Sequence, residues 1–318
     1  MNSSRTNSII ISVISLGLIA AFAYYLHANA DKYLSLFHLS PIAVVFLFVL
    51  SVMSSILNGI INTYLFRSLD AEISHQDGFL LAAVTSLANQ LPIFGGIIFK
   101  GYYLKRKFNL SYTKYLSATL ALFIYFVAGN GLVGLVILSI WIFFQNLSIS
   151  PFLVIGFAVM AASISFFWLP FDHIKLPDRL QKRLHAALEG WTIMSKSPLL
   201  TIELIGLQTS MILLLATQYW IAFHMLSQSV SMSQTMLFAS AALLSLLVSF
   251  APGGLGVTEA IVVAIASTLG FDIGVSVVAM GLVRLVWTFA TVLIGGISTA
   301  IIARQIPEFS WKANGPDV

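Results

Sequence analysis

Long apolar stretches separated by short polar segments dominate the amino-acid sequence. A helix needs about 20 apolar residues to cross a hydrocarbon core of about 30 Å. The stretches reach that length and are continuous, whereas the strands of a membrane β-barrel alternate in short pieces. The pattern therefore predicts an all-α polytopic membrane protein. The stretches cover residues 8–27, 41–66, 78–99, 115–145, 151–171, 198–226, 234–270 and 273–303.

Two of these stretches are interrupted near the middle. Residues 78–99 contain Pro92 and then two glycines, and residues 234–270 contain a Pro-Gly-Gly segment at 252–254. Proline and paired glycine break helices. Each interrupted stretch is therefore predicted to be a re-entrant hairpin of two half-helices, which leaves about six full spans. Two full crossings remain the alternative for 234–270, because in either case the next span would start on the outer side.

The composition agrees with a membrane protein and excludes a soluble or a disordered one. Of the 318 residues, 58% are hydrophobic and 9% are charged, whereas about 25% are charged in soluble domains. The mean hydropathy is +0.95. The net charge of +4 does not indicate a nucleic-acid partner, because the basic residues border apolar stretches and set topology. The absence of cysteine excludes disulfides, thiolate metal sites and cysteine catalysis.

Positive charge gathers in two segments, which are expected on the cytoplasmic side. If residues 78–99 crossed the membrane fully, the first basic segment would lie outside. The number of crossings before that segment therefore also favours a re-entrant hairpin there. We therefore expect a multi-pass protein of the cell (cytoplasmic) membrane with both termini inside. The basic segments contain Lys100, Lys105, Arg106, Lys107 and Lys114, and Lys175, Arg179, Lys182, Arg183 and Lys196.

The order of elements repeats when Pro92 is aligned with Pro252, an offset of 160 residues. The first unit starts inside and the second starts outside. This is the pattern of an inverted-topology repeat, in which two Gly/Pro-interrupted segments meet near the midplane and form the substrate site. The match concerns the order and spacing of elements, not residue identity.

The single membrane domain 1–318 would contain repeats 1–145 and 151–303, an inserted basic in-plane helix or plain connector at 175–194, and a cytoplasmic tail at 304–318.

Arg284 is the strongest candidate for a functional charge. It lies twelve residues beyond Asp272, which corresponds to about 18 Å of helix and places it near the middle of the membrane. An arginine at that depth costs at least about 2.5–3.5 kcal/mol and needs a partner. Glu259 is the best candidate for that partner. The pair would form a charged substrate cavity, or it would lock the second hairpin to the last span; the two interpretations are compatible.

The breaks also offer backbone groups to a ligand. If the second half-helix of each hairpin begins at the break, its N–H groups and positive dipole end face the midplane and suit a phosphate. In the alternative interpretation, glycine only permits the turn and close packing, and Glu259 only favours a helix N-terminus. The candidate substrate-binding residues are Pro252, Gly253, Gly254, Gly256, Thr258, Glu259 and Arg284 in the second half, and Pro92, Gly96 and Lys100 in the first.

Other polar residues lie within the apolar stretches. Some are expected to face the cavity, and most are expected to hydrogen-bond between helices. The six histidines lack metal-site spacing, and no HExxH motif, P-loop or serine nucleophile elbow is present. An enzyme is therefore not supported, and no metal or cofactor is expected. These polar residues are Asn58, Asn62, Asn89, Gln90, Asn130, Gln208, Gln218 and His224.

The second broken segment carries a family resemblance. The run from Pro252 to Ala260, followed by Arg284, resembles the most specific signature of the flippase-like transmembrane domain of lysylphosphatidylglycerol synthases, the multiple peptide resistance factor group. A second, looser motif of that family is matched in the first half. The residues that match it are Leu91, Pro92, Gly96, Lys100, Leu104, Lys105 and Arg106.

The sequence departs from the family pattern in the first half. The family usually has an acidic residue where Ile97 stands and an arginine where Lys100 stands, and an acidic–arginine pair is absent around Leu122 and Phe123. The resemblance covers essentially the whole chain. It implies a stand-alone member that lacks the soluble aminoacyl-transferase domain and does not make lysyl-lipids.

The resemblance implies translocation of an anionic phospholipid or another lipid-linked headgroup between leaflets. Its expected partners are membrane lipids, and no nucleic acid is expected. One alternative is an ion-coupled transporter of a small anion that uses Glu259 and Arg284. Another is an accessory membrane protein of envelope lipid or polysaccharide assembly, with envelope-biosynthesis proteins as partners. No ATP-binding motif is present, so uphill transport would need an ion gradient or a partner.

Overall fold

The computed structural model describes residues 40–90, 95–145, 150–163, 165, 197–242 and 256–305. Several sequence predictions concern residues outside this part of the chain. They are the span at 8–27, the in-plane helix at 175–194, the tail beyond residue 305, and the candidate site residues Pro92, Pro252, Gly253 and Gly254.

Helices make up the regular structure of the described residues, in which no strand occurs. This confirms the predicted all-α fold. In chain order the helices are α1 (Pro41–Arg67), α2 (His75–Ala88), α3 (Gly95–Phe108), α4 (Tyr112–Gln145), α5 (Pro151–Ala162), α6 (Pro198–Met225), α7 (Met232–Ala242), α8 (Val257–Thr268) and α9 (Ile273–Gln305).

Four helices, α1, α4, α6 and α9, are long and apolar enough to cross a membrane. The shortest of them, α1, has 27 residues and is therefore about 40 Å long, more than a hydrocarbon core of about 30 Å. Large apolar side chains point outward, such as Leu285, which is 72% exposed. Such a surface suits lipid rather than water, and the chain is a membrane protein. The span predicted at 151–171 is described only in its first part, as α5.

Helices α2 and α3 form an antiparallel hairpin whose outer ends are tied together. Lys107, near the end of α3, forms an ion pair with Asp77 in the first turn of α2. The same ammonium group donates a 3.0 Å hydrogen bond to Gln305, the last residue of α9. The entrance and exit of the hairpin thus lie beside the end of the last long helix. This arrangement supports the re-entrant hairpin, whose position relative to the membrane stays a prediction.

The inner ends of α2 and α3 meet at Gly96. A Cβ atom at this position would collide with the Asn89 side-chain oxygen and would lie 2.7 Å from the Thr85 carbonyl oxygen. The absence of a side chain therefore lets the first turn of α3 approach the end of α2. Packing accounts for this glycine, as the alternative interpretation of the breaks expected.

Helix α3 extends beyond the apolar stretch 78–99 and continues through the basic cluster to Phe108. Each arm has 14 residues and is about 21 Å long. The charges are accommodated by nearby groups: the Lys105 ammonium lies 4.7 Å from the Tyr112 ring centroid, and Lys107 pairs with Asp77. Long basic side chains of this kind can extend to a polar surface while their helix stays in an apolar one.

The helix packing is reciprocal between the two halves of the chain. Helix α1 packs on α2, and α6 packs on α7. The first hairpin arm α2 also packs on α9, and its counterpart α7 packs on α4. Helices α1 and α6 contact each other between the halves. This exchange of partners is what an inverted repeat would produce, and it supports the repeat, which stays a prediction.

Candidate functional site

Arg284 and Glu259 lie together, as predicted. Arg284 is the twelfth residue of α9, about 17 Å along the helix axis from its start. Its Nη1 atom lies 3.8 Å from Oε1 of Glu259, and the two side chains are 17% and 16% exposed. The pair is therefore mostly buried but still accessible. It joins α8 to the last long helix, α9, through opposite charges.

Glu259 also caps the helix on which it lies. Its Oε2 atom accepts a 2.8 Å hydrogen bond from the Gly256 backbone N–H. Gly256 immediately precedes α8 and has a φ of +82°, a conformation that glycine adopts without strain. The predicted start of a half-helix directly after the glycine motif is confirmed here. Thr258, another candidate, lies in the first turn of α8 and is partly buried.

Two aromatic residues complete the surroundings of the pair. The Arg284 guanidinium carbon lies 5.1 Å from the Trp287 ring centroid. Tyr219 of α6 is 4% exposed and is close enough to interact electrostatically with both Glu259 and Arg284. The site is thus built from α6, α8 and α9. A carboxylate, a guanidinium group, a backbone N–H and two aromatic side chains meet there.

Lys100 lies in the other hairpin, against α1. Its ammonium group donates a 3.0 Å hydrogen bond to Oδ1 of Asn62 and lies 6.0 Å from the Phe66 ring centroid. Asn62 is 1% exposed. Lys100, a candidate substrate-binding residue from the sequence, therefore faces a neighbouring helix.

The sequence was compared with families of known proteins. It matches the family model described as the lysylphosphatidylglycerol synthase TM region over residues 9–295. The chain belongs to this family. The match includes both interrupted stretches and both charged groups, Lys100 and the Glu259–Arg284 pair. No curated protein that was compared with the sequence matches it. As a member of the lysylphosphatidylglycerol synthase transmembrane family, the protein is a membrane protein of lipid and envelope biology.

Two of the polar residues within the spans of this family member, Asn130 and His224, contact carbonyl groups of their own helices. The Asn130 amide donates to the Phe126 carbonyl oxygen, and a His224 ring nitrogen contacts the Trp220 carbonyl oxygen. Both partners lie four residues earlier on the same helix, where a side chain reaches a backbone carbonyl group without help from a second helix.

Sequence reasoning missed Trp287 and Tyr219 as members of the charged site. Trp287 follows Arg284 by three residues, so the helical neighbour rule could have found it. A weaker signal exists for Tyr219. Helices α1 and α6 both begin with Ser-Pro, at Pro41 and Pro198. When these two prolines are aligned in the sequence, Tyr219 corresponds to Asn62. Each of these two residues lies beside the charged group of its own half.

Proposed function

We propose that the protein moves an anionic phospholipid, or another lipid-linked anionic headgroup, between the leaflets of the cytoplasmic membrane. The observation that carries this proposal is the partly accessible Arg284 deep within α9, beside the first turn of α8. Ionisable residues inside membrane segments are costly and commonly mark substrate pathways. Membership of the lysylphosphatidylglycerol synthase transmembrane family supports a lipid as the substrate.

The charges at this site favour a phosphate over a neutral headgroup. A guanidinium group and the N-terminus of a helix both attract negative charge, and a neutral sugar would gain little from either. The preference for a lipid-attached phosphate over a free anion rests on the family and not on these charges. The charges of the site therefore support an anionic substrate, and the family membership supports a substrate that is a lipid.

Glu259 would act as the resting counter-ion of Arg284. Its distance of 3.8 Å from Nη1 is longer than the roughly 2.7–2.9 Å of a charge-assisted hydrogen bond. A phosphate would take the place of the carboxylate beside Arg284, and the Gly256 N–H would then be a second donor to it. Gly253 and Gly254 would let the backbone approach the headgroup, and Lys100 would attract it at the other hairpin.

The helix arrangement supports a route between the leaflets. The two hairpins belong to halves with reciprocal packing partners, and inverted repeats commonly place a substrate site between such broken segments. Rocking of one half against the other would expose the headgroup to each leaflet in turn. No catalytic step is needed, and we propose no enzymatic activity.

Reconstitution into liposomes tests the proposal. The wild-type protein should speed leaflet exchange of fluorescent phosphatidylglycerol, and Arg284→Gln, if folded, should abolish the increase. Arg304→Gln is the matched control, because Arg304 lies in the last turn of the same helix and is exposed. This control should keep the exchange rate of the wild type.

The same vesicles separate the alternatives. Phosphate uptake without lipid exchange would favour an ion-coupled transporter of a small anion. The proposal would be abandoned if wild-type vesicles were no faster than empty ones for anionic phospholipids and polyprenyl-phosphate lipids, with and without a proton gradient. That result would favour an accessory protein of envelope assembly.

A further inference from the structure

The contact between Lys100 and Asn62 has a defined orientation. A lysine ammonium group only donates hydrogen bonds, whereas an asparagine side chain has both an accepting oxygen and a donating nitrogen. The 3.0 Å contact therefore joins Nζ of Lys100 to Oδ1 of Asn62, and the reversed amide would place two donors against each other. The Nδ2 group of Asn62 must lie on the other side of the amide.

These two side chains leave a surplus of donors. The Nδ2 group of Asn62 is buried and has no hydrogen-bond partner among the described residues, and the residue as a whole is only 1% exposed. The ammonium group has three donors, and Asn62 accepts one of them. Among the described residues, no carboxylate lies within ion-pair distance of Lys100. The result is a positive, donor-rich site for which the described part of the chain supplies no further acceptor.

Lys107 on the same helix shows what a satisfied lysine looks like in this protein. It pairs with the carboxylate of Asp77 and donates to Tyr103 and Gln305. Lys100 has an amide oxygen and the Phe66 ring at 6.0 Å instead. A purely structural role would leave the Asn62 donors without a function, and buried polar groups in proteins are almost always hydrogen-bonded.

We infer that Lys100 and Asn62 form an anion-binding site that takes a phosphate-type oxyanion, carried on a lipid headgroup or free in solution. An oxyanion accepts hydrogen bonds from both side chains and offsets the lysine charge. A neutral ligand would leave that charge uncompensated, and a cation would be repelled. The inference rests on the proposed function for the role of Lys100 and adds Asn62 to it, but anion binding at this site lies on the first hairpin and does not depend on Arg284.

The position of the site allows a ligand to reach it. Lys100 is only partly buried. Asn62 lies five residues before the end of α1 at Arg67, so it is about 8 Å from that end of the helix. The sequence predicts that this end is cytoplasmic. The exposed Arg106, farther along α3, would attract anions toward the same end.

Binding measurements on the full chain test this site without requiring translocation. The protein is placed in nanodiscs of phosphatidylcholine and titrated by calorimetry with inorganic phosphate and, separately, with soluble dihexanoyl-phosphatidylglycerol. Lys100→Gln should weaken binding by about tenfold or more, whereas Lys100→Arg should retain it. Lys105→Gln is the matched control and should bind like the wild type, because this exposed lysine lies on the same helix.

Asn62→Asp is the sharper variant, because it keeps the shape of the side chain and supplies an internal carboxylate. It should lose anion binding, and its melting temperature without ligand should equal or exceed that of the wild type. This variant decides the question if Lys100→Gln fails to fold. Binding of inorganic phosphate would identify a site for free oxyanions, and binding of the lipid alone would identify a headgroup site.

The inference is overturned if neither probe binds, or if Lys100→Gln and Asn62→Asp bind as well as the wild type. Because calorimetry reports binding and the liposome assay reports exchange, the two hypotheses can fail separately. A protein that binds phosphate at Lys100 but exchanges no lipid would retain this site and lose the proposed function.

Discussion

Gly295 and Gly296 are neighbours on α9 but have different surroundings. A Cβ atom at Gly295 would lie 2.7 Å from the Leu87 Cβ and 3.0 Å from the Ala83 carbonyl oxygen. A Cβ atom at Gly296 would meet nothing within 4 Å. Leu87 and Ala83 belong to α2, so Gly295 marks the place where the first hairpin packs closely against the last long helix.

The two alanine substitutions should therefore have opposite effects on stability. Alanine is favoured over glycine within a helix by about 0.8–1 kcal/mol, and this gain applies equally to both positions. Overpacking costs about 1–3 kcal/mol, and it applies only to Gly295, where the obstacle includes backbone that cannot rotate away. We expect Gly296→Ala to be neutral or up to about 1 kcal/mol more stable, and Gly295→Ala to lose up to about 2 kcal/mol.

Thermal unfolding of the purified variants in one detergent measures the difference. The expected order of melting temperatures places Gly296→Ala at or above the wild type and Gly295→Ala below it. Each variant controls for the other, because the substitution and helix are the same and the positions differ by one residue. If Gly295→Ala melted at or above the temperature of Gly296→Ala, the close packing of α2 on α9 would be refuted.

Two further predictions concern charged pairs. Glu259→Gln and Arg284→Gln should each lower the free energy of unfolding by up to about 3–5 kcal/mol, because each leaves a mostly buried charge unpaired. The double variant should recover about 1–3 kcal/mol of the summed loss, and strictly additive losses would show that the ions do not interact. Burial raises the pKa of Asp77, but hydrogen bonds from Lys107 and Ser74 and the charge of Lys107 outweigh it, so that the pKa is lowered overall. Its contribution to stability is therefore complete above the unfolded pKa of about 3.9 and is lost as the pH falls through the lower folded pKa. The melting temperatures of the wild type and Asp77→Asn should converge below about pH 4, and a pH-independent difference would contradict this assignment.

The hydrophobic pattern predicted the long helices well because a lipid-facing helix must be apolar along its length. The stretches at 41–66 and 198–226 correspond to α1 (Pro41–Arg67) and α6 (Pro198–Met225) within a residue. The start of α8 directly after Gly256 also followed from the sequence, because glycine and proline act locally on the backbone. Features that depend on one segment alone were therefore predictable.

The remaining errors arise from contacts between segments. Hydropathy ended the first broken stretch at residue 99, whereas α3 continues to Phe108 because Asp77 and nearby aromatic rings accommodate its lysines. The bond between Lys100 and Asn62 joins residues 38 positions apart. Its formation depends on how α1 and α3 rotate about their axes, which neither local sequence specifies. Glu259 and Arg284 were paired correctly because a charge deep in a membrane requires a partner, and few candidates existed.

The deep positive charges in the two halves of the protein have different partners. In the second half, Arg284 has a carboxylate 3.8 Å away, so an incoming anion must compete with Glu259. In the first half, the amide oxygen of Asn62 is the one acceptor that the described residues place within hydrogen-bonding distance of Lys100. An anion would therefore add an acceptor there without displacing a carboxylate. A phosphate should therefore bind more readily beside Lys100 than beside Arg284, even though arginine forms the stronger paired hydrogen bonds. The departures from the family pattern at Ile97 and Lys100 fall in the half where the anion has least competition.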